Sequence, residues 1–282
     1  MFKSMNAAEW VLLSTIRIET TITNGISTGT GFFFSFCVEE ETGTSIPTIV
    51  TNKHVIKDAI DGKLRFSLKD TNGKPIWGEF YDLKLNDFEK RWIFHPDPNI
   101  DLCILPIANI HNEIKKAQKE LYYTTLTLSD IPSKEEIVNT ISRIEDITVV
   151  GYPDGIWDSY NNMPIVRKGI TATSLQLDFN NEPKFLIDAA IYGGSSGSPV
   201  YIFNQGSYSP ANGGLVAGTR LKLVGIVYAV AQHTVNGEIK IVDIPAAKTP
   251  ITTTLIPNNL GVAIHARELE IFEQMLKSQI RN

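Results

Sequence analysis

Short apolar segments separated by polar turns are the feature that most constrains the fold of this chain. In the first half they cover residues 16–20, 32–38, 46–51, 64–68 and 76–85. Segments of this length and spacing are typical of antiparallel β-sandwiches and barrels, so the pattern predicts an all-β architecture. The Thr-Gly-Thr-Gly run at residues 28–31 predicts a turn before the second of these strands.

The middle of the chain has a different composition. Residues 111–121 are rich in Lys, Glu, Gln and Ala, which favours a helix, and Ser133 with Glu136 forms a capping-box pattern. We interpret this region as the connection between two β lobes. The predicted division is an N-terminal lobe at 1–110, a connection at 111–145, a second lobe at 146–265 and a C-terminal helix at 266–282. Strands of the second lobe are predicted at 147–150, 165–175, 185–190, 199–203, 221–231, 239–242 and 260–264.

The C-terminal segment has helical periodicity. Leu269, Phe272, Leu276 and Ile280 recur on one stripe of a helix. Packing of this stripe on the second lobe is the favoured interpretation, and binding of a partner is the alternative. Residues 205–218 and 232–258 show no such period and predict long loops, which often carry function.

Composition restricts the class of partner. The 282 residues, 43% of them hydrophobic, can bury a sizeable core, and the net charge of −5 comes from interspersed charges. The sequence has no basic block that would indicate nucleic-acid binding, and no lysine-rich amphipathic stretch that would indicate membrane binding. Cys37 and Cys103 lie in apolar runs, which favours buried free thiols, with a disulfide between them as the alternative. No signal-peptide pattern begins the sequence, so we expect a cytoplasmic protein, or a secreted one if a signal has been removed.

A Gly/Ser-rich turn lies between the strand-like runs at 185–191 and 199–202. It reads Gly-Gly-Ser-Ser-Gly-Ser at residues 193–198. Glycine permits positive φ and close approach, so such a turn can expose a serine hydroxyl and direct several backbone N–H groups to one point. Acyl transfer requires both a nucleophile and donors for the oxyanion. Taken alone, the pattern also fits an ordinary hairpin loop.

Two upstream segments favour the catalytic interpretation. Thr-Asn-Lys-His-Val at residues 51–55 places His54 after an apolar strand, and Asp101 opens the apolar run at 102–105. His, Asp and Ser in this order is one of the arrangements in which a catalytic triad occurs. A carboxylate next to an apolar run is expected to be partly buried and therefore to need a partner.

These motifs resemble those of the chymotrypsin-like serine peptidases. The turn at 194–199 is similar to the nucleophile motif of that clan, and residues 51–55 are similar to its histidine motif in bacterial glutamyl endopeptidases. Val-Gly-Tyr-Pro at 150–153 and the segment at 259–264 resemble parts of HtrA-type (Do-like) protease domains. The resemblance runs from about residue 29 to 264.

The resemblance implies a fold and a set of roles. The fold would be two six-stranded antiparallel β-barrels, and the activity that of a trypsin-like serine endopeptidase acting on proteins or peptides without a cofactor. Ser196 would be the nucleophile, His54 the general base, and Asp101 the residue that orients the imidazole. The N–H groups of Gly194 and Ser196 would form the oxyanion hole.

Several residues remain as alternatives for these roles. Ser195 and Ser198 flank the nucleophile position but do not occupy it in the motif. Asp97, between two prolines, is the alternative acid. His265, at the end of the last strand, is the alternative base, ahead of the remaining three histidines, His95, His111 and His233.

The resemblance also implies a specificity pocket. Its residues would be Ala190, Ile191, Val227, Tyr228, Ala229, Val230 and Gly261. None of them is acidic, so we expect a small or apolar side chain before the cleaved bond. The wall has Tyr228 and lacks the histidine of glutamyl endopeptidases, which puts specificity for acidic residues in doubt. Residues 228–230 would offer a strand edge to the substrate backbone.

One position departs from the animal members of the clan. Ser195 stands where those enzymes have an aspartate that pairs with a newly cleaved N-terminus. Activation by N-terminal insertion is therefore not expected, and we predict control by a regulatory partner or a conformational change. A protease-fold binding or scaffold protein with a misaligned triad is the alternative. No metal-ligand spacing and no phosphate-binding loop are found, so neither a metal nor a cofactor is expected.

Overall fold

Two β lobes joined by short helices make up the part of the chain that the computed structural model describes, residues 6–23, 25–235 and 254–280. The strand predicted at 239–242 lies outside these residues. The predicted β class is confirmed, because strands form most of both lobes.

The first lobe is an antiparallel sheet preceded by the short helix α1 (Ala7–Leu12). Its strands are β1 (Thr15–Ile22), β2 (Gly25–Phe36), β3 (Ile46–Thr51), β4 (Asp61–Lys69), β5 (Pro75–Asn86), β6 (Ile93–Phe94), β7 (Cys103–Pro106) and β8 (Glu120–Leu121). In space they follow the order β5-β4-β1-β2-β3-β7-β6, and β8 pairs with β4. Closure of this lobe into a second barrel stays a prediction.

The turn predicted at residues 28–31 is wrong. These residues lie in the interior of β2 and pair with β1. The glycines among them face crowded apolar neighbours. A Cβ on Gly29 would lie 2.5 Å from Val55 Cγ1, and one on Gly31 would lie 2.7 Å from Ile49 Cγ2. These glycines therefore permit close packing inside a strand instead of reversing the chain.

The connection between the lobes contains the two helices α3 (Ala108–Lys116) and α4 (Lys134–Asn139). The first begins and ends earlier than predicted, because residues 120–121 pair with β4. The predicted capping box is confirmed: Ser133 Oγ accepts from the Glu136 N–H at 3.1 Å, and Glu136 Oε2 accepts from the Ser133 N–H at 2.8 Å. Within the described ranges, every helix is too short or too polar to span a bilayer.

The second lobe is a closed six-stranded antiparallel barrel, as predicted. Its strands are β9 (Asp146–Gly151), β10 (Ile165–Thr171), β11 (Lys184–Ala189), β12 (Pro199–Asn204), β15 (Arg220–Val235) and β16 (Thr254–His265), and a separate hairpin is formed by β13 (Ser207–Tyr208) and β14 (Val216–Ala217). Around the barrel the order is β10-β11-β16-β15-β12-β9.

Two predictions for this lobe were wrong in extent. The strand predicted at 165–175 ends at Thr171. Residues 232–235 and 254–257, predicted as loop, pair with each other and extend β15 and β16. The irregular appearance of these residues in sequence arises because a long hairpin needs no buried, periodic face.

The described residues form three apolar cores, one in each lobe and one between the lobes. A 3-10 turn (Ala266–Leu269) and helix α5 (Glu270–Ile280) pack on the core between the lobes. That core combines Phe34, Phe36 and Leu102 of the first lobe, Tyr201 and Ile226 of the second, and Leu269, Phe272 and Leu276 of the C-terminal segment.

The C-terminal helix is confirmed, but it contacts more than the second lobe. The Phe272 ring lies 6.2 Å from that of Phe36, and Glu273 Oε2 accepts from the Cys37 N–H at 2.7 Å. The apolar stripe packs where the two lobes meet. Both cysteines are free thiols; Cys103 is buried and Cys37 is half-buried.

Candidate active site

His54 lies just beyond β3, on the one-turn helix α2 (Lys53–Ile56), with 44% of its side chain exposed. Asp101 precedes β7 and is 16% exposed. Its Oδ2 is hydrogen-bonded to His54 Nδ1, and its Oδ1 accepts from the His54 backbone N–H at 3.0 Å. Asn52 Nδ2 donates to the Asp101 carbonyl at 2.7 Å. The structure thus brings these two predicted residues together and leaves His54 Nε2 for another partner.

The alternative acid and base make other contacts. Asp97 lies in the loop before Asp101, and its carbonyl accepts from Lys53 Nζ at 3.0 Å. His265 is 3% exposed at the end of β16, with its ring 5.0 Å from that of Phe185. Burial lowers the pKa of His265 to about 4, because an apolar surrounding disfavours the charged imidazolium. His265 is therefore a neutral residue of the interior.

The peptide group between Gly193 and Gly194 is oriented by a neighbouring loop. Its carbonyl accepts from the Asp154 N–H at 2.5 Å. In a trans peptide the C=O and N–H point in opposite directions, and the described residues contain no cis peptide. The Gly194 N–H therefore points away from Asp154, to a side where it has no partner among the described residues.

The peptide group between Ser195 and Ser196 is oriented in the same manner. Its carbonyl accepts from the Ser198 N–H at 3.0 Å. Over the part of the chain that the structure describes, the Ser196 N–H donates no hydrogen bond. The two residues predicted to form the oxyanion hole thus both have an available backbone donor.

Thr30 of β2 connects this turn to the first lobe, a residue that the sequence reasoning missed. Its N–H donates to the Ser196 carbonyl at 2.9 Å, and its Oγ1 donates to the Gly194 carbonyl at 3.0 Å. Its own carbonyl accepts from Thr51 Oγ1 at 2.7 Å. Because Thr51 ends β3, this network relates the turn of the second lobe to the segment that carries His54.

The three serines of the turn differ in exposure. Ser195 and Ser198 are fully buried, whereas Ser196 is partly exposed. No hydrogen bond among the described residues joins Ser196 Oγ to His54 Nε2. Ser196 is therefore the accessible hydroxyl, but the structure does not bring it into hydrogen-bond contact with the imidazole. Catalytic hydrogen bonds are often long in structures without substrate.

The residues mapped to the specificity pocket fall into two groups. Ile191 and Val227 are buried at 0% and 1% exposure, and a Cβ on Gly261 would lie 2.9 Å from Ile191 Cγ1. Ile191 therefore packs over Gly261, and the neighbouring Ala190 is partly exposed.

The other group lies on β15. The Tyr228 ring lies 6.1 Å from that of His54, edge to face. The backbone of Ala229 and Val230 pairs with β16, while their side chains lie outside the described ones. Tyr228 is therefore the one of these three whose side chain is placed at the candidate site.

A cleft of about 850 Å³ lies beside the paired His54 and Asp101. Tyr228, Glu182 and Lys184 also line this cleft. Lys184 Nζ is 2.6 Å from Glu182 Oε2 and 4.8 Å from the centre of the Tyr228 ring. Charges of both signs and one aromatic ring thus face the cleft, which suits an extended chain with polar side chains.

Arg167 of β10 is a second residue that the sequence did not indicate. It is 9% exposed, and its Nη1 donates to Ser195 Oγ at 2.6 Å and to the Ala190 carbonyl at 3.1 Å. Burial lowers the pKa of Arg167 to about 10, while the nearby Asp154 opposes this shift. The alternation Ile-Val-Arg-Lys at 165–168 carries no signal of burial, because each face has one apolar and one charged residue.

The fold is similar to that of solved HtrA-type proteases. The HtrA-type protease AlgW with a tripeptide superposes with a TM-score of 0.51 at 17% identity, over 97% of this chain and 63% of that one. A variant of AlgW with a tripeptide gives a TM-score of 0.50 at 17% identity, over 96% and 62%. The chain thus spans less than two thirds of the length of these proteins, and the likeness concerns the fold. No curated protein matches the chain significantly.

A family model provides the identification. The model of the trypsin-like peptidase domain matches residues 29–207, more than half of the 282 residues. The match begins in β2, includes His54 and Asp101 and ends beyond the turn that carries Ser196. The chain therefore belongs to the trypsin-like peptidase domain family.

Proposed function

We propose that this chain is a serine endopeptidase that hydrolyses peptide bonds through an acyl-enzyme, with His54, Asp101 and Ser196 as its triad. The observation that carries the proposal is the pair of hydrogen bonds from His54 to the Asp101 carboxylate. Such a contact fixes the orientation and tautomer of an imidazole and stabilises the imidazolium that forms during acyl transfer. On this proposal the sheet of the first lobe also closes into a barrel, so that the fold has two.

In the acylation step, Ser196 Oγ attacks the carbonyl carbon of the substrate while His54 Nε2 takes its proton. The negative charge then forms on the carbonyl oxygen, where the N–H groups of Gly194 and Ser196 can donate to it. In a well-studied bacterial protease, removing one such donor costs about 2.7–4 kcal/mol of transition-state stabilisation. His54 next delivers the proton to the leaving amine.

In the deacylation step, water replaces the amine. His54 Nε2 takes a proton from the water, whose oxygen attacks the ester carbon of acyl-Ser196. The second tetrahedral intermediate uses the same two donors, and Ser196 leaves with the proton from His54. The reaction needs no group beyond the side chains and peptide groups already described.

The substrate we infer is a peptide segment of a protein. AlgW, to which the fold is similar, has been crystallised with a tripeptide. Ala190, Ile191, Val227 and Gly261 carry no charge, and Ile191 packs over Gly261, which supports a small or apolar side chain before the cleaved bond. The polar cleft beside Tyr228 would take residues further toward the substrate's N-terminus.

We also infer that the site is gated by a partner or a conformational change. The supporting observation is that Ser196 Oγ and His54 Nε2 make no hydrogen bond, although His54 is held by Asp101. The same observation favours the second candidate, a protease-fold binding or scaffold protein whose triad never aligns. The two differ in whether any condition makes Ser196 nucleophilic.

The experiment that tests the proposal is labelling with a fluorophosphonate probe, followed by mass spectrometry of the modified peptide. We expect labelling at Ser196 that is lost in Ser196→Ala and retained in Ser207→Ala, an exposed serine of the same lobe. Labelling only after addition of a peptide or protein ligand would support gating. Folded protein that stays unlabelled under all these conditions would favour the scaffold function.

A further inference from the structure

A single buried guanidinium contacts both ends of the turn that precedes the nucleophile. Arg167 Nη1 donates to the Ala190 carbonyl and to Ser195 Oγ. Ser195 Oγ also accepts from the Tyr192 N–H at 3.3 Å. Two hydrogen bonds from one nitrogen thus fix the distance between the first residue of the turn and the residue just before Ser196.

Asp154 contacts the same turn through its backbone. Its N–H orients the Gly193 carbonyl, and its Oδ1 lies 3.2 Å from the position that a Cβ on Gly193 would occupy. Its carboxylate also raises the pKa of Arg167 and so favours the cation. Arg167 and Asp154 together leave few conformations open to the peptide that carries the Gly194 N–H.

Burial of the Arg167 guanidinium carries a desolvation penalty that hydrogen bonds must offset. Its Nε and Nη2 have no hydrogen-bond partner within the described residues, and only Nη1 is satisfied. An apolar side chain of similar volume would fill the same space without burying a charge or unpaired N–H groups. A contribution to packing alone therefore does not account for a cation at this position.

We propose that Arg167 is a positioning residue that keeps the 190–196 turn in the conformation in which the Gly194 and Ser196 N–H groups can bind an oxyanion. This rests on the proposed function, because it assigns the means by which the same site is kept competent. Ser195 is neutral, so the contact is a charged donor to a hydroxyl, and it requires no cleaved N-terminus. A cation built into β10 would replace a cation supplied by processing.

The first test is Arg167→Met, which keeps most of the volume and removes every donor. We expect the rate constant for fluorophosphonate labelling of Ser196, and kcat for a peptide substrate, to fall by roughly 10²-fold, a loss that a displacement of about 1 Å can cause. KM is expected to change by less than about threefold, because substrate contacts remain. A merely structural role would instead lower the amount of folded protein and leave kcat per folded molecule unchanged.

The second test uses Ser195→Asp and is independent of the loss of volume. An aspartate would give Arg167 a charged partner and strengthen the contact. We expect Ser195→Asp to retain labelling in the background with Arg167 and to lose it, beyond the effect of either single variant, when combined with Arg167→Met. In that double variant a buried carboxylate has no counterion.

A third measurement does not depend on activity. Hydrogen exchange read by mass spectrometry over residues 190–198 should become faster in Arg167→Met, while β12 and β15 keep the wild-type pattern. If the wild type is never labelled at Ser196, the proposed peptidase function fails, but this measurement still tests the role of Arg167.

Three results would overturn the proposal. One is wild-type labelling and exchange in Arg167→Met. Another is simple additivity of Arg167→Met and Ser195→Asp. The third is a selective loss of cleavage after acidic residues with other peptides unaffected, which would make Arg167 a residue that contacts substrate.

Discussion

Among single residues, Asp101 makes the contacts that most restrict the chemistry of His54. Its two carboxylate oxygens bind the Nδ1 and the backbone N–H of the same histidine, and Asn52 binds its carbonyl. Nδ1 must therefore carry a proton toward Asp101, since a carboxylate only accepts. The consequence is an Nε2 without a proton, which can act as an acceptor.

Asp101→Asn should abolish this arrangement without changing the shape of the side chain. An amide nitrogen facing Nδ1 would donate to it and force the proton onto Nε2. We expect kcat, or the rate constant for labelling of Ser196, to fall by about 10⁴-fold, the loss known for the matching substitution in a serine-protease triad. The matched control is Asp97→Asn on the same loop, which should stay within several-fold of wild type. Equal losses in the two variants would contradict the assignment of Asp101.

The residues that the sequence did not indicate depend on contacts formed only in the folded chain. His54, Asp101 and Ser196 stand in recognisable local motifs. Arg167 is buried in the folded barrel to which β10 belongs. The residues next to it in sequence do not predict this burial. Thr30 binds a turn that lies more than 160 residues further along the chain, and it stands in a Thr-Gly run that reads locally as a turn.

At the scale of elements, the turn before β12 depends on a close approach to the first lobe. Gly197 has a φ of 83°, and a Cβ there would lie 2.0 Å from the Thr30 carbonyl oxygen and 2.4 Å from Thr51 Oγ1. Its N–H donates to the Val227 carbonyl at 2.9 Å. Any side chain at this position would push the turn that carries Ser196 away from Thr30 and Thr51. Thr51 ends the strand that leads to His54.

Gly197→Ala is therefore expected to affect stability and activity together. Left-handed backbone strain alone costs about 1–2 kcal/mol, and displacement of Thr30 should bring the loss in unfolding free energy above about 3 kcal/mol. Gly213→Ala is the matched control, because Gly213 has a φ of 91° with nothing within 4 Å of a Cβ. Chemical denaturation should show only the strain in Gly213→Ala, with labelling of Ser196 unchanged. A similar loss in both variants would show that the approach to Thr30 is unimportant.

The elements themselves could be predicted unevenly from sequence. Strands with a buried face, such as β3 and β12, lie where the apolar runs indicate. The glycines of residues 28–31 were misinterpreted, because a glycine in a turn and one beneath a crowding side chain look alike until Val55 and Ile49 are in place. The extensions of β15 and β16 beyond the barrel were missed, since their pairing is visible only in the hairpin register.

Over the whole molecule, the loop between β9 and β10 joins the lobes. The Trp157 ring lies 5.4 Å from the guanidinium carbons of both Arg17 and Arg65. Asn162 Nδ2 donates to Ser67 Oγ at 3.0 Å. This loop of the second lobe also supplies the Asp154 N–H that orients the Gly193 carbonyl. The geometry of the 190–196 turn therefore depends on how the two lobes are joined, a property of the complete fold.

The stability of the whole fold should depend on pH through His265. The folded pKa of this buried histidine is about 4, because of desolvation and then the nearby Arg267, against an ordinary value of 6.5. Between these two values the unfolded chain binds more protons than the folded one, so stability falls as pH falls from about 6.5 toward 4. The shift corresponds to a loss of roughly 3 kcal/mol over that window. This folded pKa already includes the opposing effect of Asp178, whose Oδ1 lies 3.4 Å from His265 Nε2.

His265→Gln isolates this contribution, because glutamine does not titrate. Urea denaturation of both proteins from pH 7 to pH 4 should show the wild type more stable at pH 7, since its ring packs on Phe185. That advantage should shrink steadily below pH 6.5, at up to about 1.4 kcal/mol per pH unit. Acid loss from carboxylates occurs in both proteins and cancels in the difference. A difference independent of pH would mean that His265 takes up its proton without leaving the interior, with Asp178 as a full counterion at the junction of β16 and the C-terminal helix.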